Sequence, residues 1–473
     1  MYRVVIVAIL ASIVAAVSAY EYLPGRMIIT IKPEYELKLT KDESGFVKTG
    51  IKSVDELNEY FGVVRYEPLL GPLGKYEEKW KDFRNHLIFF FADTFVNVEE
   101  VSKLYDGLPE VRDAHPEYLK PYKIRTPNDP MYFAQWYLPK CELPMAWDFT
   151  VGRADGLLIT AIDSGLDWDH PEIMPMVWVN PGEDLDRDGV VFDYDDINLV
   201  DDDWNGLVDD IIGYDFVDGA RNAYNDGTLR EDGMTMDNDP SDFILDGHGT
   251  MCTGLFLAAT NNEFGIASTN WSGKTIALRA GYFSQDSMGY NLPSAMIRAT
   301  RYAIDMGVKI ISFSYGSFRS DPEERDIINA AWNAGCIIIA AAGNESTSTR
   351  VYPAAYNNVI AVGSTDVNDK KSTFSNYGNY VDIMAPGERM YMVYPDGFQT
   401  ADGTSFAAPL VAGIVRLIWS YFPDSSRDWV INRLLSSADP IDSLNPDSLH
   451  GRLGVGRVNA YKAIAQVIRP SIR

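Results

Sequence analysis

Three polar residues stand out for the chemistry that their surroundings permit. Asp163 closes the apolar run Leu157 to Asp163 (LLITAID) and is followed by Ser164-Gly165, a turn. His248 lies between glycines in Gly247-His248-Gly249-Thr250, directly before a helix-like segment from Met251 to Ala259. Flanking glycines allow close backbone approach, and a helix start disfavours the imidazolium and keeps a base neutral. Ser405 sits in Gly403-Thr404-Ser405-Phe406-Ala407-Ala408-Pro409, which opens an apolar helix running through Trp419. Pro409 is expected in the first turn of that helix, whose N-terminus favours negative charge developing beside a hydroxyl nucleophile. Taken singly, each residue has a plainer reading: a strand-end cap or turn former, a structural histidine in a tight turn, and an N-cap. Taken together they supply base-orienting carboxylate, base and nucleophile in the chain order Asp, His, Ser. With only five histidines, at 86, 115, 170, 248 and 450, candidates for the base are few.

Such residues need a rigid frame. The runs LLITAID, VKIISFSYG (Val308 to Gly316), GCIIIAAAG (Gly335 to Gly343) and NVIAVGS (Asn358 to Ser364) alternate with helical stretches such as Ser294 to Asp305. Continuous hydrophobicity means strands buried on both faces, so residues 123–473 are expected to form one doubly wound α/β domain with a mostly parallel sheet. Functional residues then belong at the carboxyl ends of its strands. Residues 20–122 read as a small α+β unit. Its strands are Met27 to Pro33 and His86 to Asp93; a capping box at Ser53 and Glu56 opens one helix toward Tyr60, and a second runs from Val98 to Leu108. Nothing in this unit looks catalytic. A Pro- and Asn-bearing loop from Lys120 to Pro130 separates the two.

Composition narrows the function classes. The 473 residues are 46% hydrophobic and 23% charged, which excludes a disordered or fibrous chain. A net charge of -26 repels phosphate backbones and anionic membranes, excluding nucleic acid as a partner. Cys141, Cys252 and Cys336 are too few for a disulfide framework or a Cys-rich zinc site, and at most one bridge could form. Residues 1–19 carry Arg3, an apolar run from Val4 to Val17 and small residues at Ser18 and Ala19, the pattern of a signal peptide cut after Ala19. The run is short for a retained anchor, so the remainder is expected to be exported, extracellular or in the cell envelope, with no membrane association.

The motifs resemble those of the subtilisin-like serine proteases, the subtilases: AIDSG around Asp163, GHGT around His248, AAAGN ending at Asn344 and GTSFAAP around Ser405. SYGS at 314–317, FSNYG at 374–378, VDIMAPG at 381–387 and GVGRVNAYKAI at 454–464 extend the resemblance over residues 126–466. It implies a serine endopeptidase with polypeptide substrates, acting as a monomer. Ser405 would attack the carbonyl, His248 would take and return the proton, and Asp163 would hold the imidazole tautomer. Asn344 would bind the oxyanion with the Ser405 amide; Asn344-Glu345-Ser346 also fits a glycosylation sequon, over which the catalytic reading takes precedence. Substrate would add as a strand between Ser314-Tyr315-Gly316 and Ala341-Ala342-Gly343, whose small residues leave room for an apolar or aromatic side chain before the cut. The plainer reading makes these two segments buried strand ends. One departure stands out: after GHGT the family usually continues His-Val-Ala-Gly, and here Met251-Cys252-Thr253-Gly254 follows. Cys252, four residues after the base, faces the same side of the helix; a buried small hydrophobe is the commoner role there than a reactive thiol.

Residues 183–242 hold 20 acidic and 3 basic side chains, a concentration of charge that needs counter-ions. Asp184, Asp186, Asp188, Gly189 and Asp195 fall at positions one, three, five, six and twelve of a calcium loop. Asp201, Asp203, Asn205, Gly206, Asp209 and Asp210 repeat the odd spacing in compressed form. The stretch resembles the calcium-binding insertion of exported subtilases, so structural Ca2+ is the expected cofactor; a solvated acidic loop is the alternative. With no pair of histidines at ligand spacing, and His170 expected to cap the turn after Asp163, a catalytic metal is disfavoured.

Residues 20–122 occupy the position of a subtilase propeptide, which implies an intramolecular inhibitor removed by a cut between Tyr118 and Thr126; the alternative is a permanent domain. Two further functions fit the same motifs. One is a processing protease specific for one or a few targets. The other is a catalytically silent calcium-dependent binding module, against which the intact Asp163, His248, Asn344 and Ser405 argue.

Overall fold

The computed structural model describes residues 22–94, 96–118, 125–154, 156–190, 196–224, 233–242 and 247–465. The chain divides into two compact units, Met1–Lys123 and Ile124–Arg473. The expected signal segment, the chain between Tyr118 and Arg125 and Asp195 lie outside the described residues.

In the first unit, strands β1 (Tyr22–Ile31), β2 (Val63–Pro68), β3 (His86–Phe91) and β4 (Val111–Tyr118) form an antiparallel sheet in the order β2-β3-β1-β4. β3 alternates buried and half-buried residues, the mark of a sheet covered on one face. Helices α1 (Lys52–Phe61) and α2 (Val98–Asp106) contribute Val54, Val101 and Tyr105 to the core that holds Met27, Ile29 and Phe89. The expected capping box does not form. Helix α1 already begins at Lys52, so Ser53 lies inside its first turn and donates to Glu110 at 2.9 Å. Asp55 instead accepts from the Thr49 hydroxyl at 2.7 Å and the Gly50 amide at 3.2 Å.

The second unit is built on seven parallel strands: β5 (Ile159–Asp163), β6 (Gly213–Asp215), β7 (Ala277–Arg279), β10 (Ile310–Phe313), β11 (Ile337–Ala341), β12 (Ile360–Thr365) and β13 (Ile383–Pro386). Between β7 and β10 the chain makes the hairpin β8 (Gly281–Phe283) and β9 (Gly289–Asn291). The sheet order is β13-β12-β11-β10-β5-β7-β6. Helices cover both faces. Ile337, Ile339 and Ala341 pack with α3 (His248–Phe256) and α6 (Thr404–Tyr421), whereas Ile338 and Ala340 pack with α4 (Pro293–Asp305) and α5 (Pro322–Asn333). This period of two explains why the strands read as unbroken apolar runs. The chain builds outward from β5 in one direction through β7 and β6 and in the other through β10 to β13. The crevice at the carboxyl ends of β5 and β10 is therefore a switch point in strand order.

Helix α6 is long and apolar enough to cross a bilayer, but 78% of it is buried inside the unit. All three cysteines are buried and unbridged, so the single disulfide that the sequence allowed is absent.

Candidate active site

Asp163, the last residue of β5, points its Oδ1 at His248 Nδ1, 2.7 Å away, and also accepts from the Ser164 amide at 2.8 Å. His248 opens α3 after Gly247, whose φ of 60° is left-handed and where a Cβ would lie 2.5 Å from Pro395. A Cβ on Gly249 would meet the Gly165 carbonyl at 2.2 Å. Gly249 thus lets the helix start press against the strand end that carries Asp163, and Gly247 lets it pass close to Tyr394 and Pro395. Ser164 reinforces the junction, accepting from the Gly249 amide at 2.8 Å and donating to Asp242 at 2.9 Å.

The electrostatics of His248 differ from the sequence expectation. Burial disfavours its charged form, yet the Asp163 carboxylate and its hydrogen bond hold the imidazole pKa well above the ordinary range. The contact with a full negative charge outweighs the partial charge of a short helix end.

Ser405 is half-buried near the start of α6. Pro409 lies at the sixth position of this helix, in its second turn, and not in the first. Having no N–H, it cannot bond the carbonyl four residues earlier, which is that of Ser405. That oxygen accepts instead from Ser314 Oγ at 2.8 Å and from Cys252 Sγ at 3.3 Å. Ser405 Oγ in turn donates to the Ser314 carbonyl at 3.0 Å. Two residues are therefore clasped reciprocally, with Cys252 beneath them at 3.4 Å from Ser314 Oγ and 3.9 Å from His248 Nδ1. Burial pushes the Cys252 thiol upward, so it donates as a neutral S–H.

Asn344 follows β11 at the surface. Its Oδ1 accepts from both the amide and the hydroxyl of Thr404, each at 2.9 Å, and the same hydroxyl accepts from the Gly343 amide at 3.1 Å. With the oxygen end pinned to the residue before Ser405, the NH2 end is left as a donor. The amide of Ser405, in the first turn of α6, has no partner within its helix.

A cleft of about 810 Å³ runs from Asp163 and His248 past Ser314, Tyr315 and Gly316 to Glu324. Its facing wall is β9, Gly289–Asn291, which sequence reasoning did not single out. Ala341 and Ala342 are not an open edge. Ala341 pairs with Val362, the Ala342 amide donates to Val362 at 2.9 Å, and the Ala342 carbonyl accepts from Asn376 and Tyr380. The Ala342 amide and carbonyl are thus already engaged, and of the three residues only Gly343 is half-buried. Gly289 and Tyr290, by contrast, are exposed on one strand of a two-stranded hairpin.

The acidic stretch gathers two clusters. Asp184 and Asp186 meet Asp196, and Glu183 meets Asp203 and Asp210, with ligand atoms within 4.8 Å of one another in each. In both runs the backbone is left-handed at positions four and six, Arg187 and Gly189 in the first (φ 64° and 70°) and Trp204 and Gly206 in the second (φ 64° and 94°). The membership differs from the spacing argument. Asp196 joins the first cluster, while Asp188 caps its own turn through the Val190 amide. In the second, Asp201 accepts from the Asn205 and Gly206 amides and Asp209 from those of Asn198 and Leu199. Asn205 donates to Asp203 and Asp210. Glu183 was missed because it lies just before the first run and reaches the second only through the fold.

Glu183 and Asp210 are fully buried, and Glu183 Oε2, Asp210 Oδ1 and Asp184 Oδ1 meet no hydrogen-bond partner. Burial pushes Glu183 up to about 7 and Asp210 up to about 6. Carboxylate oxygens alone, several of them orphaned, fit a hard divalent cation such as calcium. A third place was not legible either. Glu172 is fully buried with neither oxygen in hydrogen-bond geometry, and burial pushes it up to about 8. Beside it Asp129 accepts from the Asn261 and Asn262 amides. His170, the expected turn cap, places Nδ1 3.1 Å from the Glu172 amide.

The subtilase family model matches residues 154–456, which span β5, α3 and α6 and every group of the crevice. The chain belongs to the subtilase family. This subtilase is 34% identical over 341 residues to thermitase of Thermoactinomyces vulgaris, an alignment covering 72% of the chain and 99% of that relative. It is 33% identical over 370 residues to a thermophilic serine proteinase of a Bacillus species (strain AK1), covering 78% and 76%. A protease structure from Pseudoalteromonas arctica shares the fold with a TM-score of 0.56 at 23% identity, covering 72% of this subtilase and 99% of that chain. The protein is accordingly a serine-type endopeptidase acting on polypeptides.

Proposed function

We propose that Asp163, His248 and Ser405 are the catalytic triad of an exported endopeptidase made as a self-processed precursor. The observation that carries the reading is the 2.7 Å contact from Asp163 to His248 beside a serine set at a helix start. In the resting arrangement the Ser405 proton is given to the Ser314 carbonyl. A substrate strand adding along Ser314 would offer its own amide to that carbonyl and release the hydroxyl toward His248. His248 takes the proton as Ser405 Oγ bonds to the substrate carbonyl carbon, and Asp163 stabilises the imidazolium. The negative oxygen is met by the Asn344 NH2 and the Ser405 amide. Collapse breaks the C–N bond, His248 protonates the departing amine, and water then cleaves the acyl-enzyme by the same proton route.

Calcium is assigned to the Glu183–Asp203–Asp210 and Asp184–Asp186–Asp196 clusters, on the strength of the orphaned buried oxygens of Glu183, Asp210 and Asp184. Bound there, it would neutralise these carboxylates and tie their loops together. The unit preceding the catalytic domain is read as the propeptide and inhibitor, removed near residues 118–126 in a protein that functions as a secreted monomer.

The test compares wild type with Ser405→Ala, made without the signal segment in calcium, by intact mass and reaction with a fluorophosphonate. Wild type should lose roughly its first hundred residues and label, and the variant should do neither, with proteolysis reduced by about 10⁶-fold. Wild type that stays full length and unlabelled overturns the assignment.

A further inference from the structure

The far end of the cleft carries a charge that the proposed chemistry does not use. Glu324, in the first turn of α5, lines the cleft and accepts from the Tyr315 hydroxyl at 2.7 Å. Tyr282, Tyr290 and Met296 line the same cleft, so its lining combines a half-buried carboxylate with apolar and aromatic side chains. Two other charged groups border it. Asp321 spends Oδ1 on the amides of Glu323 and Glu324 as the cap of α5, and Arg319 is exposed to solvent.

The strand geometry says which substrate residue reaches this place. Ser405 Oγ lies 3.0 Å from the Ser314 carbonyl, so the residue to be cleaved lies opposite Ser314. For an antiparallel strand, the three residues before it fall opposite Tyr315, Gly316 and Ser317 in turn. Directly opposed residues share a face, which puts the second and fourth residues before the scissile bond on the face of Tyr315. The second is beside His248. The fourth, about 7 Å further along, is the one that extends toward Glu324.

We infer that Glu324 selects a lysine or arginine as the fourth residue before the scissile bond. Resting on the active-site assignment above, this adds a substrate class to it. A long cationic side chain suits the site in both its parts. The methylene stem packs on Tyr315, Tyr282 and Tyr290, and the head forms a charge-assisted hydrogen bond with a carboxylate that has already lost much of its water. Burial holds the Glu324 pKa above its ordinary value against the opposing hydrogen bonds of Tyr315 and Tyr356, and an incoming cation would relieve that cost.

The experiment uses the self-processed enzyme and internally quenched peptides that differ only at this position, bearing Lys, norleucine or Glu. In wild type, kcat/KM for Lys should exceed that for norleucine by about tenfold, the effect of one such hydrogen bond, and Glu should be the poorest. Glu324→Gln should bring the Lys to norleucine ratio to about one. Should that variant not fold, rising salt in wild type should erode the Lys advantage while leaving the norleucine rate steady. Equal rates for Lys and norleucine, a ratio that survives Glu324→Gln, or a preference for Glu would overturn the inference. If none of the peptides is cut, the active-site assignment itself fails, and the subsite with it.

Discussion

The crevice and the acidic insertion both bury carboxylates, and they do so in opposite ways. Asp163 has the Ser164 amide and the His248 ring as partners, all supplied by the chain itself. In the insertion, Glu183 and Asp210 face other carboxylates, and each keeps one buried oxygen that no donor reaches. Buried charge is tolerated only when paired. The crevice is therefore complete as a piece of protein, whereas the insertion needs protons or a cation to finish it.

The largest effect that probes this contrast comes from Asp163→Asn. Loss of the carboxylate should lower kcat/KM by roughly 10⁴-fold, because the imidazole tautomer and the imidazolium both lose their partner. The same variant tests the pKa of His248. The base works when neutral, and Asp163 holds its pKa above the ordinary 6.5, so wild-type activity should rise through a limb lying above that pH. In Asp163→Asn the limb should move to lower pH. An unmoved limb in the pH–rate profile would separate Asp163 from His248 electrostatically.

Next in size, Asn344→Ala should reduce kcat by about 10² to 10³-fold with little change in KM, since the amide meets charge that exists only in the transition state. A loss confined to KM would make Asn344 a ground-state contact.

The smallest change in rate, but a clear change in stability, is expected from chelation, measured on Ser405→Ala so that self-digestion does not intervene. Glu183 and Asp210 have folded pKa values near 7 and 6, above those of free carboxylates. Their protonated forms support the fold at low pH, and that support is lost as pH rises through these values. EDTA should therefore lower Tm by several degrees at pH 8 and by much less at pH 5. Asp210→Asn should shrink the calcium-dependent shift at pH 8. Equal melting with and without EDTA at both pH values would show that the insertion holds no structural cation.

Some of this architecture was legible in the linear chain. The apolar runs marked β5, β10, β11 and β12 because strands covered on both faces need no polar alternation, and GHG was readable because only glycine accepts the contacts made by Gly247 and Gly249. Other readings failed for local reasons. Ser53 and Glu56 had capping-box spacing, but the helix starts two residues too early for it. For Ala341 and Ala342, expected along one side of a substrate strand, the chain alone could not show that the Ala342 main chain is engaged by Val362, Asn376 and Tyr380.

What the sequence determined on its own is whatever depends on neighbours along the chain: burial periodicity, turn glycines, and a serine at a helix start. Residue types also carried the Asp, His and Ser order, which is a statement about chemistry and not about distance. The tertiary structure alone decided which groups meet. Glu183 reaches Asp203 and Asp210, Ser314 clasps a carbonyl released by Pro409, and Tyr315 places its hydroxyl on Glu324. Each of these joins side chains from separate elements. Such contacts depend on strand order and helix docking, and a sequence expresses those only through the whole fold.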